Sequence, residues 1–267
     1  MDVAGGWRRS PAVKDITAGL RCWPIISFMA LSDVRARYKR SVLGPLWLTL
    51  GTAFGSIGLG LLWSELMHIP AAQFVPTLTA GLILWQFIAG VLSESSTVYA
   101  RQSSVIRNLS LPLSIYPPQL VLRHVVNLLH NLPILLVVGL LYGLPVGWAT
   151  LLVVPALLLL VLNLYWVCVV VSILGARFRD LEHIIGAVLP LLMFISPVFY
   201  RPNYLPFSEK ILWFNPLSHA IELVRSPLLG HAPPMFVVWA NLGALAAGLA
   251  LAFWLFNDKR DRIAFWI

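Results

Sequence analysis

The 267 residues are 59% hydrophobic and only 11% charged, with a mean hydropathy of +0.82. A soluble domain carries roughly 25% charged side chains, so this composition excludes a soluble fold that must cover its own surface and indicates a polytopic membrane protein. The net charge of +8 is explained without nucleic acid as a partner, because Lys and Arg collect in the cytoplasmic loops of membrane proteins.

Five stretches have no charged side chain: Ser41–Ser64, Leu66–Ser93, His124–Ala176, His183–Tyr200 and Ser226–Asn257. A spanning helix takes about 20 apolar residues. The third stretch is long enough for two spans, and the glycines and proline of Tyr142–Trp148 divide it. The expected fold is therefore all-α, a polytopic membrane protein with six transmembrane helices.

Residues 1–22 are polar and expected to be loosely ordered. They lack the apolar core of a secretory signal, so the first span is expected to direct insertion. From Pro24 to about Ser41 the pattern is amphipathic. Leu31, Val34, Tyr38 and Val42 recur at helical spacing, with Asp33, Arg35, Arg37, Lys39 and Arg40 on the polar side. A basic amphipathic helix beside a span lies in the membrane interface, as an anchor or as a docking surface. The chain thus divides into a cytoplasmic N-terminus with an interface helix (1–44), a six-helix membrane domain (45–256) and a basic cytoplasmic tail (257–267).

The first span, about 45–64, contains Gly51-Thr-Ala-Phe-Gly55, a small-xxx-small pattern that marks close helix packing in lipid. That packing falls within the subunit or against a second copy. The second span covers about 75–97. A short helix over Tyr99–Leu111 then lies on the cytoplasmic face and stops at Pro112. Span three, about 120–142, carries Arg123, Asn127 and Asn131 at successive four-residue steps. Polar groups at this depth face protein or water, so the stripe is either interhelical hydrogen bonding or a wet pathway. Span four runs over about 149–174 and span five over about 183–200. An outside segment, 201–234, follows. Its Asn215-Pro216 pair is a helix cap followed by proline at the first helical position, and His219, Glu222 and Arg225 share one face. Two short gate helices are expected there. Span six covers about 235–256.

Sixteen of the 19 Lys and Arg fall on one side in this layout. Only Arg201, Lys210 and Arg225 fall on the other, which places both termini in the cytoplasm. Cys22 and Cys168 suggest neither a disulfide nor a metal site. There is no Gly-Lys pair for a phosphate-binding loop, no HExxH and no CxxC. The spans lack the midplane carboxylates of ion-coupled carriers, so energy for uphill transport would come from elsewhere. Aromatics at span ends fit an interfacial belt. Phe54, Trp85, Trp166 and Phe194 fall near mid-span; they pack between helices or, with Asn127 and Asn131, line a channel.

The segment Arg37-Tyr-Lys-Arg-Ser-Val-Leu-Gly-Pro-Leu-Trp47 resembles the signature before the first span in permeases of type-2 ABC exporters for polysaccharides such as O-antigen, capsule and teichoic acid. Leu174-Gly-Ala-Arg-Phe-Arg-Asp180, Ser196-Pro-Val-Phe-Tyr200 and Asn215-Pro-Leu match in order, so the resemblance covers nearly the whole chain. It departs at Asn108-Leu-Ser-Leu-Pro112, where many members carry Lys or Arg before the proline. The resemblance implies a homodimer of permease subunits in the bacterial inner membrane, bound to two ATPase subunits. ATP and Mg would sit on those partners, this chain would hold no cofactor, and the cargo would be a lipid-linked polysaccharide. Within that reading, the junction of cations and apolar span is expected to form the headgroup interface, at Arg37, Tyr38, Lys39, Arg40 and Trp47. Coupling to the ATPase would fall on Arg101, Arg107, Asn108, Arg177, Arg179 and Asp180, and an outside gate on Asn215, Pro216, His219, Glu222 and Arg225. An exporter of drugs or small lipids is the alternative within transport. A polyprenyl-phosphate transferase is the alternative enzyme; it would need an acidic pair for phosphate chemistry, and Asp180 and Glu182 are the nearest inner-side candidates.

Overall fold

The computed structural model describes residues 11–39, 41, 44, 46–200 and 213–267. Among these the chain is helical, with no strand: α1 (Pro11–Arg21), α2 (Trp23–Tyr38), α3 (Leu46–Leu66), α4 (Ala71–Ser95), α5 (Val98–Arg101), α6 (Ser103–Asn108), α7 (Tyr116–Tyr142), α8 (Trp148–Leu151), α9 (Val153–Arg177), α10 (Leu181–Ile195), α11 (Pro216–Leu228) and α12 (Met235–Trp266). Four segments among them are long and apolar enough to cross a membrane: Ala71–Ser95, Leu113–Tyr142, Trp148–Arg177 and Met235–Trp266. α3 has 21 residues and one charge, Glu65, while α10 has only 15.

The core is built around α4, which is buried without a break from Phe74 to Trp85. α3, α7, α9, α10 and α11 all touch it, and α9 packs in turn along α12. Two glycines set how closely backbones approach. A Cβ on Gly81 would strike the Val198 carbonyl oxygen, and one on Gly175 the Ser96 carbonyl oxygen. The chain after α10 therefore lies directly on α4, and α9 directly on the turn that ends α4. In lipid, close approach of this kind replaces the hydrophobic drive that water supplies elsewhere.

The glycine pattern of α3 behaves differently. Cβ atoms built on Gly51, Gly55 and Gly58 meet nothing within 4 Å, so this face is turned away from the other described residues. None of the residues of α10 is buried. Phe54 and Phe194 are 73% and 65% exposed.

Several expectations are corrected. Residues 11–21 are not loose: they form α1, held by the buried Asp15. Asp15 accepts from Leu113 N (3.2 Å) and Ser114 N (2.9 Å) and pairs with Arg260 Nε at 2.8 Å. One carboxylate thus ties the N-terminal helix to the start of span three and the end of α12. The buried stripe of α2 is Ile26, Ala30 and Val34, while Leu31 is exposed; Val42 lies outside the described residues. The single helix expected over 99–111 is two, α5 and α6, broken at Gln102. Pro117 and Pro118 open α7, where a missing N–H has no helical partner to lose. At the other end of α7, Gly143 adopts φ 65° as a left-handed cap. The basic stretch after residue 256 continues α12 as helix to Trp266.

Candidate functional site

Glu94 ends α4 and is the only acidic residue between Glu65 and Asp180. Cations converge on it from three elements. Arg101 of α5 is 2.7 Å from Oε2, Arg123 of α7 also bonds Oε2, and Arg37 of α2 is 3.5 Å from Oε1. His124 Nε2 is 3.3 Å from Oε1. Asp33 adds a second carboxylate, 3.6 Å from Arg123 and accepting from Gln119 Nε2 at 2.9 Å. A solitary carboxylate satisfied by several guanidiniums is the arrangement that makes a partly buried charge tolerable. Gly90 makes room for it, since a Cβ there would meet the His124 ring.

Above this hub a cleft of about 240 Å³ runs between α4 and α7, lined by Arg37, Gln86, Glu94, His124, Asn127 and Asn131, among others. Gln86 Oε1 accepts from Thr52 Oγ1 at 3.0 Å and from Asn131 Nδ2 at 3.1 Å. The polar stripe of span three therefore divides. Arg123 and Asn131 bond to α4, as interhelical bonding requires, while Asn127 faces the cleft.

Of the residues at the expected headgroup interface, Arg37 joins the Glu94 hub, Tyr38 is half-buried, and Lys39 and Trp47 are exposed. Arg40 lies outside the described residues. Among the mid-span aromatics, Trp85 is buried in the core. Trp166 packs over Gly248 in the seam of α9 and α12 and donates to Asn163 Oδ1 at 3.1 Å. Phe194 stacks on Phe199 (5.6 Å between centroids), and Phe199 on Trp63 (6.2 Å), forming a short aromatic row.

The two segments named for coupling meet at the end of α12. Arg107 of α6 donates to the Ile267 carbonyl. Arg177, closing α9, lies 5.7 Å from the Trp266 ring and 5.1 Å from that of Phe178. A cavity of about 500 Å³ lies between them, lined by Ser103, Arg107, Arg179, Glu182, His183 and Trp266, among others. Arg101, Asn108, Arg179 and Asp180 are exposed. Tyr99 of α5 packs edge-on against Tyr116, and burial pushes its phenol far above the ordinary range, so it remains neutral.

On the opposite end, Asn215 caps α11 by accepting from Leu217 N at 2.9 Å, with Pro216 in the first turn. It also donates to Ser196 Oγ at 2.9 Å. Arg225 is fully buried. It pairs with Glu222 and donates to the carbonyls of Pro197 and Tyr200. His219 Nε2 lies 2.7 Å from the Trp213 carbonyl, and the His219 carbonyl accepts from Asn241 of α12 at 3.1 Å. The other expected gate helix, which takes in Ile211, Leu212, Trp213 and Phe214, lies outside the described residues except for Trp213 and Phe214.

Sequence reasoning missed Asp15, Asp33, Gln86, Glu94 and His124 as members of these networks. For Glu94 the signal was present, a lone acid in more than a hundred residues followed by Arg101 and Arg123. For Asp15 there was none, because its partners lie about 100 and 245 positions away.

Residues 26–229 match the family model described as ABC-2 type transporter. An O-antigen export system permease protein RfbA of Klebsiella pneumoniae is 25% identical over 240 residues, 87% of this chain and 90% of its own length. Its counterpart in Myxococcus xanthus is 25% identical over 242 residues, 87% and 91% of the two chains. Nodulation protein J of Neorhizobium galegae is 27% identical over 108 residues, 35% of this chain and 40% of its own.

Proposed function

This chain belongs to the ABC-2 type transporter family, and from that premise we propose that it is the permease of an ATP-driven exporter that carries lipid-linked polysaccharide, of O-antigen or capsule type, across the bacterial inner membrane. The observation that carries the reading is the alignment with O-antigen export permeases over 87% of the chain, which takes in every motif on which the resemblance rests.

In this reading six helices cross the membrane. α3 joins the four long apolar segments, and α10 crosses with the help of the chain that follows it. At 1.5 Å per residue α10 is about 22 Å long, short of the roughly 30 Å hydrocarbon core. Two copies pair through the faces of α3 and α10 that this chain leaves uncovered. Both termini are cytoplasmic, in keeping with the concentration of Lys and Arg there. Two ATPase subunits, with ATP and Mg, dock at α5–α6 and at Arg177–Asp180. The Arg37–Trp47 junction receives the anionic headgroup of the cargo lipid. α11 forms part of the outer gate.

Co-expression with candidate ATPase subunits tests the reading. The expected result is a complex whose ATP hydrolysis depends on this chain, together with loss of surface polysaccharide when the chain is deleted. Normal surface polysaccharide in the deletion strain overturns it.

A further inference from the structure

The cleft above Glu94 has properties that neither the headgroup interface nor the ATPase contacts explain. Its charges are already paired at the mouth: Glu94 is shared among Arg37, Arg101 and Arg123. Its inner wall is made of neutral amides. Asn131 is only 3% exposed, and although its Nδ2 bonds to Gln86, its Oδ1 has no partner among the described residues. A buried acceptor left unpaired costs about 1–3 kcal/mol. One turn nearer the mouth, Asn127 lines the same cleft and its side chain makes no hydrogen bond among the described residues. An amide offers two donors and an acceptor.

We propose that this cleft is a saccharide subsite, in which Asn127 and Asn131 grip one sugar ring of the moving chain through its hydroxyls. The inference rests on the exporter reading above and adds a site to it. Neighbouring hydroxyls on a sugar ring both donate and accept, which is what the free groups of Asn127 and Asn131 require of an occupant. A phosphodiester or fully ionised phosphate could accept from Asn127 but could not donate to Asn131 Oδ1. Ile83 and Phe87 supply apolar wall for the C–H faces of the ring. Pockets for drug-sized ligands measure about 300–1,000 Å³, so about 240 Å³ suits a single ring. The subsite would let the permease distinguish one repeat chemistry from another before the chain passes outward.

The test is cysteine protection in cells, in a Cys22→Ser background; Cys168 is fully buried and serves as the unreactive internal control. Asn127→Cys is treated with a small maleimide, with polysaccharide synthesis on or off, and surface polysaccharide is measured in the same cells and in the deletion strain. The expected result is that Asn127→Cys labels when synthesis is off and is protected several-fold when it is on. If surface polysaccharide depends on this chain but Asn127→Cys labels equally in both states, the subsite is overturned and the exporter reading stands. If Asn127→Cys never labels, the cleft is dry and the subsite is likewise overturned. If surface polysaccharide is normal in the deletion strain, the exporter reading falls and the subsite falls with it. As an independent measure, Asn131→Leu should lower polysaccharide export several-fold while keeping the elution and thermal profile of the parent. Undiminished export overturns the proposal.

Discussion

Arg101, from the segment that joins two membrane helices, and Arg123, from the second of those helices, converge on the same oxygen of Glu94, Oε2. That single atom closes the loop between α4 and α7 and fixes the position of α5 and α6. Removing it leaves several guanidiniums facing one another at the membrane boundary.

Glu94→Ala should therefore destabilise the chain by about 3 kcal/mol, the scale for removing one partner of a buried pair. Thermal unfolding in detergent measures this. Glu94→Leu combined with Arg123→Leu should recover much of the loss, because no uncompensated charge then remains on α4 or α7. A double variant as unstable as Glu94→Ala would show that the hub contributes through something other than charge.

Gly175→Ala should cost about 1–3 kcal/mol, as over-packing does, since its Cβ is directed at the Ser96 carbonyl oxygen. A backbone oxygen cannot rotate aside as a side chain can. By contrast, Gly55→Leu should leave the thermal midpoint of the monomer unchanged, because among the described residues nothing lies within 4 Å of the Cβ position. If two copies pair through this face as proposed, it should instead reduce cross-linking between them.

Arg225→Lys should destabilise by at least about 2 kcal/mol although it keeps the charge. The guanidinium serves Glu222 and the carbonyls of Pro197 and Tyr200 together, and an ammonium cannot reproduce that fork. Thermal unfolding of the detergent-solubilised variant decides it.

Asp15→Ala should free α1. Lys14 and Arg21 are exposed yet held in helix, so the parent should resist trypsin there and the variant should be cut rapidly. An N-terminal fragment pattern identical to that of the parent would remove Asp15 as the clasp.

Much of the fold was legible because composition and charge spacing govern membrane proteins strongly. The turn at Gly143, the Asn215 cap and the long apolar helices all follow from local chemistry. The membrane family was legible in the Arg37–Trp47 run and its companion motifs. Long-range pairing was not. Asp15 reads as an ordinary surface acid until Leu113 and Arg260 are placed beside it. Trp166 reads as a channel residue as readily as a packing one until Gly248 is seen beneath it. Both depend on which helices become neighbours, and apolar sequences of similar periodicity leave that choice open.

α12 is 32 residues long, about 48 Å at 1.5 Å per residue, and exceeds the hydrocarbon thickness. Asn241 near its start holds α11, and Trp266 at its far tip meets Arg177 beside α6. A single stiff shaft thus joins α11 to α6 across the length of the bundle. Any displacement of one tip along the axis reaches the other through the helix backbone itself, with no chain of intervening side chains to carry it.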